Sequence, residues 1–379
     1  MRVFVWQWGR FGAGARYALE LSRALKEHCG HDVLLSLAED AELMRDPATR
    51  RGVDMALYTY TNTPEFIWRS LGLRRVLKPI VERLRESPPD AAIVTMMGYW
   101  DIFLVRHLRR LGIPVVVLLH DAEVHPGDRF HLMVRLQRRL IQASNGVITH
   151  TRFVAGQLKR RLSLDGKVHA TIPLVSFAFV DLDLPPPEPP KPAPDRPLRL
   201  LLAGRLKRYK GLELLAGALK QLDDVPIALR VAGDAQDPSE IARLAEFSGV
   251  ELDLGWKDER ALIAHLDWAD ACILPYVEAS QSGLAPLAFG RGRTVIATPV
   301  GGLPEQIRDG ETGLLTESVS AAALAGSIRR LAEDRNLVRR LGENALHHAR
   351  TEIAWESLAP RFDAVLKGVA PRKPAGSSA

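Results

Sequence analysis

Arg205 and Lys210 lie in LLAGRLKRYKG, residues 201–211, just beyond an apolar run whose strand end can deliver both cations to one site. Such a pair can neutralise the diphosphate of a nucleotide donor as the leaving group gains charge. Gly204, directly before Arg205, belongs to the same candidate donor contact. Lys207 and Arg208 read instead as a solvated face, because charged side chains are mostly exposed. A second block, ILPYVEASQSGLAPLAFG, residues 273–290, places Glu278 after another apolar run and ahead of Gln281-Ser282-Gly283-Leu284. Glu278 can hydrogen-bond sugar hydroxyls, and a polar turn that opens a helix offers N–H donors to a phosphate. An N-capping box on Ser280 or Ser282 explains the serines without a ligand but leaves the preceding acid unexplained.

In LLHDAEVHPGDRFH, residues 118–131, His120-Asp121 again follows an apolar run. A histidine beside an acid at a strand end fits a pocket, with Asp121 and His125 as acceptor-side candidates, although a lone strand-end histidine is often structural. His125 and His131 lack a spacing that supports metal ligation, so no metal site is expected. WQWGRFGAGARYALELSRAL, residues 6–25, runs from strand to glycine turn to helix. Gly12 and Gly14 can let backbone approach a phosphate. The spacing is short of GxGxxG and no acid marks the end of the second strand, so a nicotinamide cofactor is disfavoured, and a plain tight turn explains the glycines equally.

These residues need elements to hold them. Short β-branched runs at 3–8, 32–37, 91–97, 114–120 and 146–149 alternate with helical patterns, and the alternation resumes at 198–206, 227–233, 250–255, 271–276 and 294–298. Continuous apolar strands between helices predict parallel sheets covered on both faces. Between the two series, residues 185–197 pack eight prolines into thirteen residues, a stiff linker. The expected organisation is α/β: an acceptor lobe at 1–182, a linker at 183–197, a nucleotide-sugar lobe at 198–350, a helix at 351–368 that closes the second lobe or crosses to the first, and a disordered tail at 369–379. Two such sheets make a cleft at the carboxyl ends of their strands, where ligands bind.

Composition narrows the partners. The chain has 379 residues and a formal charge of +6. Residues 1–182 carry 26 Lys and Arg against 18 Asp and Glu, so the N-terminal half holds all of the excess. An anionic partner is implied, and with no helix-turn-helix, zinc knuckle or RNP signature, nucleic acid fits less well than a phosphate-bearing substrate or an acidic membrane surface. Residues 71–86 and 129–144 read as basic amphipathic helices that can lie on such a surface, or as core-facing helices with charged outer sides. The longest apolar run, 113–119, cannot cross a bilayer and residues 1–10 lack a cleavable signal, so a cytoplasmic protein is expected, peripheral on the inner membrane face if it meets lipid. Cys29 and Cys272 form no disulfide framework and read as buried fillers.

The glycine loop, the GR…KG block, the E…SG block and GGLPE…DGETGLL (301–315), taken in order, resemble the retaining glycosyltransferases of family 4, which have the GT-B fold of two Rossmann-like lobes with a donor cleft between them. The resemblance implies a nucleotide-diphosphate sugar as donor substrate, no separate cofactor, and a lipid-linked or oligosaccharide acceptor in bacterial surface polysaccharide or glycolipid assembly. It implies that Arg205 and Lys210 grip the diphosphate, that backbone at Ser282, Gly283 and Leu284 takes the distal phosphate, that Glu278 and His120 meet the transferred sugar, and that Gly12 and Gly14 press the opposite lobe on the donor. The sequence departs from the family where a second Glu of E-x7-E holds the ribose. Pro286, Leu287 and Ala288 occupy that neighbourhood, as in a QSG-type variant, and Glu305 is the next acid available. By resemblance the route is metal-independent same-face substitution. A sugar-nucleotide epimerase of the same fold, or a cleft that binds a nucleotide sugar without turning it over, are the alternatives.

Overall fold

The computed structural model describes residues 1–122, 131–177, 179, 182–191, 193–235 and 238–371. Its N-terminal sheet consists of β1 (Arg2–Gln7), β2 (Asp32–Ala38), β3 (Met55–Leu57), β4 (Ala91–Val94), β5 (Val115–Leu119), β6 (Gly146–Thr149) and β7 (Val168–Thr171), in the order β3-β2-β1-β4-β5-β6-β7. The C-terminal sheet consists of β8 (Leu198–Ala203), β9 (Ile227–Gly233), β10 (Val250–Leu254), β11 (Ala271–Leu274), β12 (Thr294–Ala297) and β13 (Gly313–Leu315), ordered β10-β9-β8-β11-β12-β13. All recorded ladders are parallel. This is the two-lobed Rossmann-like architecture expected, and each expected apolar run holds a strand. The short edge strands β3, β7 and β13, three or four residues each, were not anticipated, because so few residues carry no readable period.

The central strands are buried on two faces and are therefore apolar throughout: β4 is AAIV and β5 is VVVLL, every residue buried, whereas edge strands such as β10, VELDL, carry polar residues. In each sheet the sense in which successive strands are added reverses between two parallel neighbours, β1 beside β4 and β8 beside β11. A crevice opens at the carboxyl ends of strands at such a switch point. The loops that leave these four strands carry the glycine turn, Gly98 to Trp100, Arg205 to Lys210, and Glu278.

The proline segment is less of a free spacer than its composition suggests. Arg291 donates to Pro185 O at 3.0 Å and Arg293 to the Glu188 carbonyl, so the segment lies along the C-terminal lobe, and Arg196 closes it with a bidentate pair to Asp270, both bonds 2.7 Å. Of the two cysteines, Cys272 is buried and Cys29 only half-buried.

The last helix, Trp355–Val369, crosses to the N-terminal lobe and packs along helix Ala13–Cys29. It therefore runs to Val369, within the segment expected to be a disordered tail; residues 372–379 lie outside the described residues. Trp355, Leu358, Phe362 and Val365 are all buried, at helical spacing, and join an apolar cluster that runs into both lobes. One buried carboxylate fixes the crossing: Glu20 accepts from the Trp355 indole N–H at 2.7 Å and from the Phe179 amide at 3.0 Å. Glu20→Ala strands both donors, each at a cost of roughly 1–3 kcal/mol. Urea unfolding should register the loss as a lower midpoint, and an unchanged midpoint would show that the crossing does not depend on this carboxylate.

Candidate active site

On the C-terminal side the site begins where β8 ends. Gly204 and Arg205 follow the strand, both exposed. A single turn, Arg208–Lys210, then stops at Gly211, whose φ of 72° is left-handed and whose Cβ, if it had one, would collide with the Pro275 carbonyl. That glycine lets the turn press against the end of β11 and sets the lysine. Lys210 Nζ donates to the Tyr276 hydroxyl and stands 4.1 Å from the centre of the Tyr276 ring. The Tyr276 hydroxyl is 3.4 Å from Ser282 Oγ, which links the GR…KG and E…SG blocks physically. Burial, with a smaller contribution from Arg205, pulls the Lys210 ammonium down to about 8. The two cations thus sense each other, and Lys210 rests on a phenol instead of a carboxylate. An added anion stabilises such a pair.

Glu278 is half-buried on the loop that leaves β11. Beyond it the structure corrects two expectations. The Ser282 N–H donates to Gln306 Oε1 at 2.7 Å while Gln306 Nε2 donates back to Ser282 O at 3.1 Å, and the Leu284 N–H donates to Ser282 Oγ at 3.3 Å. Two of the three amides expected to meet a phosphate therefore already have partners, since buried N–H groups must be paired within the fold. Gly283 is exposed, with no atom within 4 Å of where its Cβ would be, so the turn presents open space there. Glu305 is also committed. Its oxygens accept from the Arg152 and Phe153 amides, each at 2.8 Å, and from Arg152 Nε at 3.2 Å, capping helix Arg152–Arg161 of the other lobe. In this arrangement it is an interlobe cap and not a ribose ligand.

On the N-terminal side His120 follows β5. Its Nε2 lies 2.9 Å from Thr95 O and must carry the proton, which leaves Nδ1 to accept from Gln281 Nε2 at 3.2 Å. Burial lowers its pKa, so the ring is neutral. The imidazole of His150, at the end of β6, lies 4.8 Å away centre to centre, and burial depresses it to about 3. Tyr17 packs against both rings, edge-on to His120 at 6.1 Å and tilted to His150 at 5.7 Å. Asp121 is half-buried, and its carbonyl accepts from Gln137 at 2.6 Å. His125 lies outside the described residues. His131 opens helix His131–Ala143. Gly12 is exposed at φ 84° ahead of helix Ala13–Cys29. Gly14 is buried instead, and a Cβ there would meet Gln7 Nε2 at 2.8 Å and Met96 Sδ at 3.2 Å, so it serves packing beneath the loop. Lys207, expected on a solvated face, is only 9% exposed, whereas Arg208 is exposed.

Gln281 to His120 and Glu305 to the 152–153 amides bridge the lobes, as do Thr151 Oγ1 to Ser280 O at 3.3 Å and Arg16 Nε to Glu259 Oε1 at 2.9 Å. Sequence reasoning missed Tyr17, His150 and Gln306. His150 had the same strand-end signal as His120, and Gln306 stood beside the acid chosen in GGLPEQ.

The comparisons with known proteins bear on the family and the fold. Residues 188–348 match the family model for glycosyl transferases group 1, and residues 12–174 match that for the glycosyl transferase 4-like domain, together most of the chain. The chain belongs to the glycosyltransferases of this group. Curated relatives include the D-inositol 3-phosphate glycosyltransferase of Streptomyces bingchenggensis, 27% identical over 69% of this chain and 65% of that protein, so the match spans slightly less than two thirds of its length. The D-inositol 3-phosphate glycosyltransferase 1 of Catenulispora acidiphila is 29% identical over 78% of this chain and 76% of its own. Among solved structures, Anabaena HepE in complex with UDP and glucose has a TM-score of 0.74 at 17% identity, covering 97% of this chain and all of that one. Sucrose-phosphate synthase from Thermosynechococcus elongatus gives 0.71 at 20% identity, covering 97% and 98%. The fold is that of GT-B glycosyltransferases.

The Glu305 cap has a measurable cost. Glu305→Ala should destabilise the protein by about 0.5–2 kcal/mol, the range for losing an N-terminal cap, and Glu305→Gln, which keeps an acceptor oxygen, by less. Identical melting of wild type and the alanine variant would remove the cap from the account.

Proposed function

We propose that this chain transfers a sugar from a nucleotide-diphosphate sugar to an acceptor hydroxyl with retention of configuration. The observation that carries the reading is the Lys210 ammonium, held on Tyr276 beside Arg205 at the β8/β11 switch point and linked through Ser282 to the loop that reaches His120 across the cleft. The diphosphate lies against Arg205 and Lys210, Glu278 holds a sugar hydroxyl, and neutral His120 lines the sugar from the opposite lobe. The bond from the anomeric carbon to the diphosphate oxygen breaks with its electron pair going to the leaving group. The acceptor hydroxyl then adds from the same face and gives its proton to that departing oxygen. The two cations supply the charge stabilisation that a divalent ion supplies elsewhere, so the reading is metal-independent.

The acceptor is proposed to bear phosphate and to be a lipid-linked saccharide or an oligosaccharide of bacterial surface polysaccharide or glycolipid assembly. The basic N-terminal half supports a phosphorylated acceptor, as do relatives named for an inositol phosphate. For a lipid-linked acceptor the enzyme works as a peripheral protein on the cytoplasmic membrane face. Among the described residues no helix is long and apolar enough to cross a membrane.

Thermal shift against UDP-, GDP- and ADP-sugars should reveal the donor as the one that raises the melting temperature by mass action. With that donor, Arg205→Ala and Lys210→Ala should each lower turnover by at least ~100-fold, the scale for one preorganised charge stabiliser. Unchanged rates in both would overturn the assignment, and product formed without acceptor would favour an epimerase. Because Lys210 loses its proton as pH rises through about 8, kcat/KM should fall above that pH, and Lys210→Arg should move the falling limb upward. A wild-type profile flat to pH 10 would separate Lys210 from the reaction.

A further inference from the structure

One face of the N-terminal sheet is covered by helices Leu73–Glu86, Asp101–Arg110 and His131–Ala143, which bury Leu77, Leu84, Leu108 and Leu140 against Phe4, Trp6 and Val117. Residues 71–86, read as a possible membrane helix, are therefore mainly a core-facing element. With helix Thr63–Leu71 these segments carry twelve Arg and Lys against four Asp and Glu, and one of those acids, Asp101, is buried on the Trp6 indole.

Helix Thr63–Leu71 differs from its neighbours because none of its residues is buried. One side of it is pinned: Phe66 packs on Tyr60 and Trp100, Arg69 donates to Tyr58 O at 2.8 Å, and the Trp100 indole donates to Ser70 Oγ at 2.9 Å. On the other side Ile67, Trp68 and Leu71 are 57%, 76% and 79% exposed. Grouped apolar side chains of this size mark a contact surface. The sixteen residues from Phe66 to Val81 hold four cations and no acid, and Arg74, Arg75 and Lys78 are exposed next to the stripe. An indole and two aliphatic chains flanked by cations suit the headgroup layer of an anionic bilayer, where the ring sits at the interface and each cation gains from the surface potential. A second copy of this chain fits poorly, since a two-fold contact would set these cations against themselves. The helix follows β3 and is held by Trp100, which follows β4, so it stands at the cleft end of the sheet.

We infer that Ile67, Trp68 and Leu71, with Arg74, Arg75 and Lys78 beside them, seat the N-terminal lobe on an anionic lipid surface next to the mouth of the cleft. This rests on the peripheral-membrane reading above and gives it a surface.

Co-sedimentation of the full chain with phosphatidylcholine vesicles, with and without phosphatidylglycerol, tests it. Wild type should bind only the anionic vesicles, and binding should fade with salt. The triple variant Ile67→Ser, Trp68→Ser, Leu71→Ser, which loses the apolar insertion, and the double variant Arg74→Glu, Arg75→Glu, in which each lost cation counts for about fivefold, should each bind at least about tenfold more weakly. The vesicle-induced blue shift of tryptophan emission should vanish in Trp68→Phe. Equal binding to neutral vesicles, or undiminished binding by both variants, overturns the surface while leaving membrane association standing; no binding by wild type overturns both. A wild-type dimer that the triple variant loses would assign the stripe to a second copy and overturn the inference. Glycosyl transfer to a soluble acceptor, assayed in parallel, should be the same in all variants, which separates this test from that of the catalytic reading.

Discussion

The site depends on an ammonium that the fold places without a carboxylate. Lys210 is set by a glycine turn wedged against the end of β11 and rests on the ring and hydroxyl of Tyr276, with Arg205 as its charged neighbour. Keeping two like charges together in a partly dry place is unfavourable in the empty protein. The arrangement stores an electrostatic deficit that an added anion relieves, and in the proposed reaction a diphosphate would do so most of all when the leaving group carries its full charge. On that proposal, binding and bond cleavage draw on the same pair of residues.

The opposite wall works by neutrality. His120 spends its one proton on the Thr95 carbonyl and turns a lone pair toward Gln281, and His150 beside it is held neutral by burial. A cationic wall here would compete with Arg205 and Lys210 for any bound anion. Uncharged imidazoles leave the positive potential on one side of the cleft and make this wall polar but uncharged. The amide of Gln281 joins the two walls, so the loop that follows Glu278 senses the position of the N-terminal lobe.

Much of this was legible in the chain. Apolar runs such as VVVLL predicted buried parallel strands, and the blocks around Arg205, Lys210 and Glu278 did fall at strand ends facing a switch point. What escaped was the destination of individual hydrogen bonds. Glu305 and Gln306 are adjacent and both polar, yet one caps a helix of the other lobe and the other ties up the Ser282 amide; only the three-dimensional path decides which. Gly12 and Gly14 look alike in sequence, but the second lies over Gln7, from a strand that the turn folds back upon. Tyr17 sits mid-helix among apolar residues and reads as core until the two histidines are seen against it. The strands that escaped were edges of three or four residues, whose identity comes from the neighbour they pair with.

The return of helix Trp355–Val369 to the first lobe sets a condition on how the protein is made. One face of the N-terminal sheet is covered in part by a helix that is translated only after the whole second lobe, so a nascent first lobe emerges with that part of the face open and its Glu20 carboxylate lacking the Trp355 indole. Maturation of the first half is thus held back until the second lobe and this helix have been translated, and during that interval the uncovered surface is exposed to misassembly or to capture by chaperones.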